Sequence, residues 1–274
     1  MQRISTQLIL LLVTFLSCQL ALAQTKVSAW PDGKKAALVL TYDDALETHL
    51  NHVLPALDAA GLRGTFYLTI ESPFFLQHIP RWQAAAKAGH ELGNHSLIHP
   101  CRGPSVFPER DWVSKSSDLT QYSIERVIRE LRLSNEILRS VDGIQQRTFA
   151  FPCGDTEAKD GDFADAIQPL FIAARFGGAG FGDLEARRYR LPSLAAETLT
   201  GEQLIAYVKH VIDAEGFGSI TFHGVGGDYL SVSNDAHQQL LDYLKTNEAN
   251  IWVDTLRNIA HHLYSDTNLA PNQN

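Results

Sequence analysis

Apolar positions along this chain follow two alternating periods. Short β-branched or apolar runs occupy Ala36–Tyr42 (AALVLTY), Thr65–Ile70, Glu91–Asn94, Thr148–Phe151, Phe171–Ala174 and Ser219–Phe222. Runs of that length between turn residues predict strands. Between them, apolar residues recur three and four apart, which places them on one face of a helix. Leu50, Val53, Leu54 and Leu57 form one stripe, within a helix expected over 45–60. Ile124, Val127, Ile128, Leu131, Ile137 and Leu138 form a second. Leu204, Ile205, Val208, Val211 and Ile212 form a third, opened by a Thr200-x-x-Gln203 capping box. Leu240, Leu241 and Leu244 form a fourth. Ile251–Val253 predicts a last strand, and Leu256, Ile259, Ala260 and Leu263 a last helix.

Strand–helix alternation implies a parallel sheet covered by helices, either a barrel or a doubly wound sheet. There is no internal repeat and no Pro/Ser-rich linker, so residues 24–264 are expected to form one domain with a polar tail over 265–274. Two stretches lack periodicity, the long polar Cys101–Tyr122 and the glycine-rich Phe176–Asp183. Long irregular connections in a compact domain are often functional loops.

The N-terminus has its own pattern. Arg3 precedes an unbroken apolar core, Leu8–Leu16, and Ala21-Leu22-Ala23 is a small-x-small cleavage site. These parts predict a signal peptide over 1–23, cleaved after Ala23. The apolar run is too short to span a bilayer, which takes about 20 residues. A lipoprotein processing site at Cys18 is the alternative, and Phe15 and Leu16 fit it poorly. No later segment approaches spanning length without charge, so the mature protein is expected to be secreted or periplasmic. Cys101 and Cys153 then remain, with a disulfide and two buried thiols as the two readings.

Composition narrows the function. Of 274 residues, 45% are hydrophobic and 20% charged, which excludes wholesale disorder. The formal net charge of −8 argues against nucleic acid as a partner, because phosphate binding needs a basic face.

Four predicted strands end in residues that carry chemistry. The first runs into Asp43-Asp44. In α/β folds the strand C-termini build the site, and two adjacent carboxylates call for a cation or shared proton nearby. The alternative is that one of them caps the following helix. The third strand leads to His95 and His99, with Pro100 pushing His99 out of the α region. Two neutral imidazoles plus a carboxylate make a three-ligand divalent site with positions open to water. Pro152-Cys153-Gly154 follows the fourth strand, a turn able to aim a backbone N–H at a developing oxyanion. A later strand ends at His223-Gly224, where a histidine near a metal is a candidate general acid. The glycines there form neither a dinucleotide nor a P-loop fingerprint. Each feature alone has an ordinary structural explanation; their shared place at strand ends favours one site.

Thr41-Tyr42-Asp43-Asp44, His95-x-x-x-His99-Pro100, Pro152-Cys153-Gly154 and the strand ending at His223 resemble the polysaccharide deacetylase family, the NodB-homology domain of carbohydrate esterase family four. The resemblance runs from about Trp30 to Leu263. It implies an α/β fold, a distorted (β/α) barrel of about seven parallel strands surrounded by helices. It implies a metal-dependent hydrolase that removes acetyl groups from an extracytoplasmic polysaccharide, either an N-acetyl sugar polymer or O-acetylated xylan. By resemblance Asp43 is the catalytic base, and Asp44, His95 and His99 hold the metal, most often zinc, with cobalt or nickel as variants. Cys153 offers the oxyanion N–H, and His223 matches the acid.

Three departures stand out. Tyr42 replaces the usual Phe, Ala45 the usual Gly, and Ala150 the Arg that orients the base. Arg190 is one candidate substitute, and Asp183 a further supporting group. The missing Arg motivates an alternative, a non-catalytic carbohydrate-binding protein on the same fold. Phe107, Trp112, Tyr122, Phe176, Phe181 and Tyr229 are candidates to stack on sugar faces, or simply to anchor loops.

Overall fold

The computed structural model describes residues 30–178 and 187–264. The expected signal peptide with Cys18, the aromatic Phe181, the acidic Asp183 and the tail over 265–274 lie outside the described residues.

The strands are β1 (Ala36–Asp43), β2 (Thr65–Leu68), β3 (Glu91–Asn94), β4 (Phe149–Ala150), β5 (Glu157–Ala158), β6 (Gly161–Asp162), β7 (Ala174–Arg175), β8 (Leu194–Ala195), β9 (Phe217–Phe222) and β10 (Ile251–Val253). The helices are α1 (Leu54–Ala60), α2 (Pro73–Gln77), α3 (Ile79–Lys87), α4 (Ile124–Asp142), α5 (Gly201–Asp213), α6 (Asn234–Thr246) and α7 (Leu256–Tyr264). The expected cap box is present: the Thr200 hydroxyl accepts from Gln203 N–H while the Gln203 amide accepts from Thr200 N–H. Ser123 caps α4, and Gly143, at φ 74°, ends it.

Seven parallel strands run in the order β7-β4-β3-β2-β1-β9-β8, curled into a distorted (β/α) barrel with helices outside. β10 pairs with the lower half of β1 at Ala36–Leu38, and β2 pairs with its upper half at Thr41–Asp43. One edge of β1 is thus shared by two strands, which distorts the closure. The two ends of the path meet through Leu191, whose N–H donates to the Ala174 carbonyl and whose carbonyl accepts from Phe176 N–H, both at 2.9 Å. β5 and β6 form a separate antiparallel hairpin.

All of β1 is buried. Leu38, Leu40 and Tyr42 pack outward with Leu57, Leu204 and Leu240 of the helices. Ala37 and Val39 pack inward with Tyr67, Ala150 and Ala173. Side chains alternate along a strand, so Thr41 and Asp43 continue the inward row. The same parity runs through Phe217, Ser219, Thr221 and His223, and through Ala173 and Arg175. The Tyr42 hydroxyl, absent from the usual Phe, finds a buried partner in His237 Nε2 at 2.8 Å.

Neither Asp43 nor Asp44 caps the first helix. Asp44 N–H donates to the Tyr67 carbonyl at 3.0 Å, extending the β1–β2 ladder. The chain then turns at Asp44 (φ 79°) and Ala45 (φ 54°) and passes through a π-helical turn, His49–Val53, into α1. Ala45 therefore holds a left-handed conformation that favours the glycine it replaces.

Gly93 shows how tightly the barrel mouth is packed. A Cβ there would lie 2.5 Å from the Tyr67 ring. That ring is buried, and its hydroxyl is fixed to Thr148 Oγ1 at 2.9 Å. Gly93→Ala is expected to cost about 2 kcal/mol through overpacking, read as a lower urea midpoint at unchanged slope.

Candidate active site

Strand parity delivers one polar side chain after another to the same end of the barrel. Asp43 ends β1, His95 follows β3, Arg175 ends β7 and His223 follows β9. His99 arrives on the loop after β3, with φ 52°, outside the right-handed helical region as Pro100 requires. Ser96 (φ 71°) and Cys153 (φ 56°) share that sparsely populated conformation. Such backbone strain clusters where function over-determines geometry.

Asp44, His95 and His99 present ligand atoms that all lie within 4.8 Å of one another. Asp44 Oδ1 is 3.3 Å from His95 Nε2 and 3.3 Å from His99 Nε2. That oxygen is buried, yet it is without a well-aligned hydrogen bond. The tautomer of His95 sharpens the point. Its Nδ1 lies 2.8 Å from the Ala150 carbonyl, which can only accept, so Nδ1 carries the hydrogen. In the neutral ring the Nε2 lone pair then faces the Asp44 lone pairs, an arrangement that asks for a proton or a cation between them. Such a fixed outer hydrogen bond is the usual support of a metal-ligating imidazole. The donor set and the orphaned oxygen fit a divalent ion.

The electrostatics agree. Burial pushes the Asp44 carboxyl up, but the imidazoles of His95, His99 and His223 outweigh it and hold the group well below the usual carboxylate range. Burial lowers His95, but Asp43 and Asp44 outweigh it and raise its pKa. Burial holds His99 down at about 4. The second Asp44 oxygen, Oδ2, accepts from the Tyr229 hydroxyl at 2.8 Å and lies 3.7 Å from His223 Nε2.

Arg175, not Arg190, stands beside Asp43. Its Nη2 donates to Asp43 Oδ2 with both side chains buried. Arg190 instead pairs with Asp162 at 2.5 Å and Thr156 at 3.3 Å on the β5–β6 hairpin side. Its proposed substitution for the missing arginine is therefore incorrect. The reason is topological: Arg175 is the register partner of Ala150 across the β4–β7 pair. The small side chain at 150 leaves interior space, and an arginine one strand over fills it. Sequence reasoning passed over Arg175, although it ends an apolar run in the same way that Asp43 and His223 do.

His49 steadies the opposite wall. Leu46 N–H donates to its Nδ1 at 3.2 Å, so Nε2 carries the hydrogen and donates to the His223 carbonyl at 2.8 Å. Burial keeps this imidazole neutral, with a pKa pushed down to about 4.

Cys101 and Cys153 form a disulfide, with Cα atoms 5.8 Å apart. It joins the loop that carries His99 to the turn after β4. The Cys101–Tyr122 loop is pinned further by Arg110, which donates to Asp155 at 2.6 Å.

These groups open into a cleft of about 1140 Å³. Trp112, Phe176 and Tyr229 line it together with Phe74, Leu46 and Leu230. Trp112 is 60% exposed and Tyr229 52%, so both offer ring faces to a ligand. The other aromatics divide differently. Tyr122 is fully buried and donates to the Ser116 carbonyl at 2.7 Å, and Phe107 lies beneath the guanidiniums of Arg102 and Arg110. Both anchor the loop rather than face the cleft.

The fold is thus a parallel barrel that gathers at its strand ends, in one cleft, an Asp/His/His cluster able to hold a metal ion, a buried Asp–Arg pair and a further histidine. Residues 31–166 match the family model for polysaccharide deacetylase, and this stretch of the chain belongs to that family. Solved structures share the fold at low identity. One, from Mycobacterium smegmatis and assigned to the polysaccharide deacetylases, is 16% identical with a TM-score of 0.60, covering 86% of this chain and 92% of that one. The Xyl-CE4 domain of a multidomain xylanase from the hindgut metagenome of Trinervitermes trinervoides is 16% identical with a TM-score of 0.54, covering 84% and 91%. BA3943 of Bacillus anthracis, a CE4 family pseudoenzyme, is 15% identical with a TM-score of 0.52, covering 83% and 66%. Among curated sequences, gellan lyase of a Bacillus species is 22% identical over 266 residues, covering 86% of this chain. The chain spans only 10% of that protein's length, and 27% of the length of the Bacillus subtilis protein YlxY, to which it is 27% identical over 106 residues.

Proposed function

We propose that the protein is a metal-dependent hydrolase that removes acetyl groups from a polysaccharide. The observation that carries the reading is Asp44 Oδ1, buried without an aligned hydrogen bond and 3.3 Å from two imidazole nitrogens, beside the buried Asp43. Asp44, His95 and His99 are the ligands, and zinc is the ion their oxygen–nitrogen set suits, with cobalt or nickel able to replace it. A bound divalent ion supplies positive charge that lowers the pKa of a water and polarises a carbonyl oxygen.

The chain's own residues do the rest. Asp43 has Oδ2 held by Arg175 and Oδ1 buried without a partner, so Oδ1 is the oxygen that takes a proton from the attacking water. The Cys153 N–H donates to the oxygen of the tetrahedral intermediate, a contribution of about 3 kcal/mol for a well-placed donor. His223 passes a proton to the departing nitrogen or oxygen. Trp112 and Tyr229 hold the sugar rings. The substrate is an N-acetyl sugar polymer such as a chitin-like glycan or peptidoglycan, or O-acetylated xylan. The reading puts the reaction outside the cytoplasm, supported by the signal-peptide pattern expected over 1–23.

Acetate release from chitooligosaccharides, peptidoglycan fragments and acetylated xylan tests the reading. Release from at least one, stopped by a chelator and restored by zinc, is expected. No release from any, alongside retained glycan binding, favours the non-catalytic alternative and overturns this one.

Tyr229 offers a gentler check. Its hydroxyl orients Asp44 through Oδ2, and such outer contacts support metal affinity by tenfold or more. Tyr229→Phe is expected to weaken zinc binding about tenfold, measured by competition with a chromophoric chelator, while the fold stays intact.

A further inference from the structure

Two potential ligand sets share one imidazole. His99 turns Nε2 toward Asp44 Oδ1 at 3.3 Å and Nδ1 toward Cys101 Sγ at 3.5 Å. Cys101 is fully buried, and its sulfur is bonded to Cys153. The ligand atoms of His99, Cys101 and Cys153 also lie within 4.8 Å of one another. As a disulfide the two sulfurs are poor ligands, because the thiolate is the binding form. As thiolates they would complete a two-sulfur, one-nitrogen set, the softer kind that zinc favours in closed sites.

We propose that reduction of the Cys101–Cys153 bridge creates a second metal site, made of both thiolates and His99 Nδ1, that takes the ion away from Asp44 and His95. The inference rests on the reading of Asp44, His95 and His99 as the ligands of the working site. The two sites exclude each other through the imidazole proton. Metal on Nε2 requires the hydrogen on Nδ1. Metal on Nδ1 requires it on Nε2, where it can be donated to Asp44 Oδ1. With the bridge intact, only the Asp44 side has a full ligand set. With the bridge open, the two thiolates compete for the shared histidine, and the ion leaves the side facing Asp43. The disulfide thus keeps the working site loaded, and a thiol reductant switches it off reversibly.

The chemistry balances. Bridge cleavage takes two electrons and two protons and gives two thiols. A dithiol donor becomes its own disulfide in the process. Metal capture then releases the thiol protons.

Cobalt(II) is the probe, and a phosphine is the reductant. The phosphine supplies no thiolate and ends as its oxide with oxygen from water. Oxidised apoprotein should bind one cobalt without a sulfur-to-cobalt charge-transfer band, and Asp44→Ala should abolish that binding. Failure of this arm overturns the working-site reading, and with it the transfer of the ion, before any reductant is added. After reduction, with two free thiols confirmed by titration, the near-ultraviolet charge-transfer band should appear at one equivalent. Cobalt affinity should rise at least tenfold, and acetate release at limiting metal should fall at least tenfold. Reoxidation should reverse all three. Cys101→Ser should abolish the rise in affinity, and His99→Ala should weaken it. A reduced, folded protein whose cobalt spectrum matches the oxidised one overturns the inference. So does a band of equal strength in His99→Ala, or unfolding on reduction with cobalt present.

Discussion

Replacing His95 with alanine is expected to strip the divalent ion from the protein and lower acetate release to background, at least about 1000-fold below the unaltered chain. His95 does three things at once. Its Nε2 faces Asp44 Oδ1 at 3.3 Å, its Nδ1 donates to the Ala150 carbonyl, and its ring packs edge-on against His99 with centroids 4.9 Å apart. Removal leaves Asp44 and His99 as two ligands, too few for a stable three-ligand centre. It also leaves a buried carbonyl without its donor, which costs about 1–3 kcal/mol of stability. The fold should survive that loss, and far-ultraviolet circular dichroism checks it. Asp44→Asn separates charge from shape. It keeps the side-chain size and an acceptor oxygen, loses the negative charge, and is expected to lose metal as well. Metal content by emission spectroscopy, read beside acetate release, decides the matter. A His95→Ala protein that keeps one zinc per chain and full activity removes the basis for the proposed site.

The strands that position these residues were legible because burial imposes a simple pattern on them. β1 is buried on both faces, so it reads as a continuous apolar run, and its bounds differ from the expectation by one residue, Asp43. β3 and β10 match the expected spans. Shorter elements carried less signal. β4 is only the middle of the expected Thr148–Phe151, β7 starts at the last residue of the expected Phe171–Ala174, and β8, Leu194–Ala195, had no expected run because two side chains, not fully buried, cannot display a period. α2 and α3 went unnoticed because Pro73, His78 and Pro80 break the segment into pieces too short for a repeated stripe. The capping box at Thr200 needed no tertiary information, since both of its bonds lie within four residues.

The site was legible to the same depth. Residues that end long strands, Asp43 and His223, could be placed by parity alone. Pro100 told only that His99 leaves the helical region for the loop after β3, and the choice of Asp44 over Asp43 as the carboxylate partner came from the family resemblance. The partner of Asp43 was not legible, because nothing local connects Arg175 to it. The pair is 132 positions apart, and its geometry depends on β7 lying next to β4, a neighbour relation set by the whole barrel. Arg190 precedes Leu191-Pro192, and nothing in that local sequence carries information about sheet order. The bare alanine at 150 was read as a loss. In the folded chain it is a vacancy filled from the adjoining strand.

That vacancy sets up the last expectation, a pair of coupled losses. Asp43→Asn should lower kcat about 1000-fold, within the range for removal of a general base, with metal content unchanged. Arg175→Ala should lower kcat about 100-fold, the scale of a base released from its productive orientation. It also leaves Asp43 buried without its counter-charge, so stability should fall by about 3 kcal/mol. If the two residues acted separately, the double variant would lose about 100,000-fold. Arg175 is a positioning residue that acts only through Asp43, so Asp43→Asn/Arg175→Ala should be no slower than Asp43→Asn alone. A merely structural arginine would lower the double variant further, which keeps the cycle decisive. Geometry supplies a rescue. Ala150 and Arg175 are register partners, so an arginine placed at 150 can enter the space that Arg175→Ala empties. Ala150→Arg/Arg175→Ala should recover at least about tenfold of the lost kcat, whereas Ala150→Arg alone overfills the interior and destabilises the chain. Single-turnover acetate release across the five variants measures each step. An Arg175→Ala enzyme as fast as its parent would mean that Asp43 is oriented by something other than this ion pair.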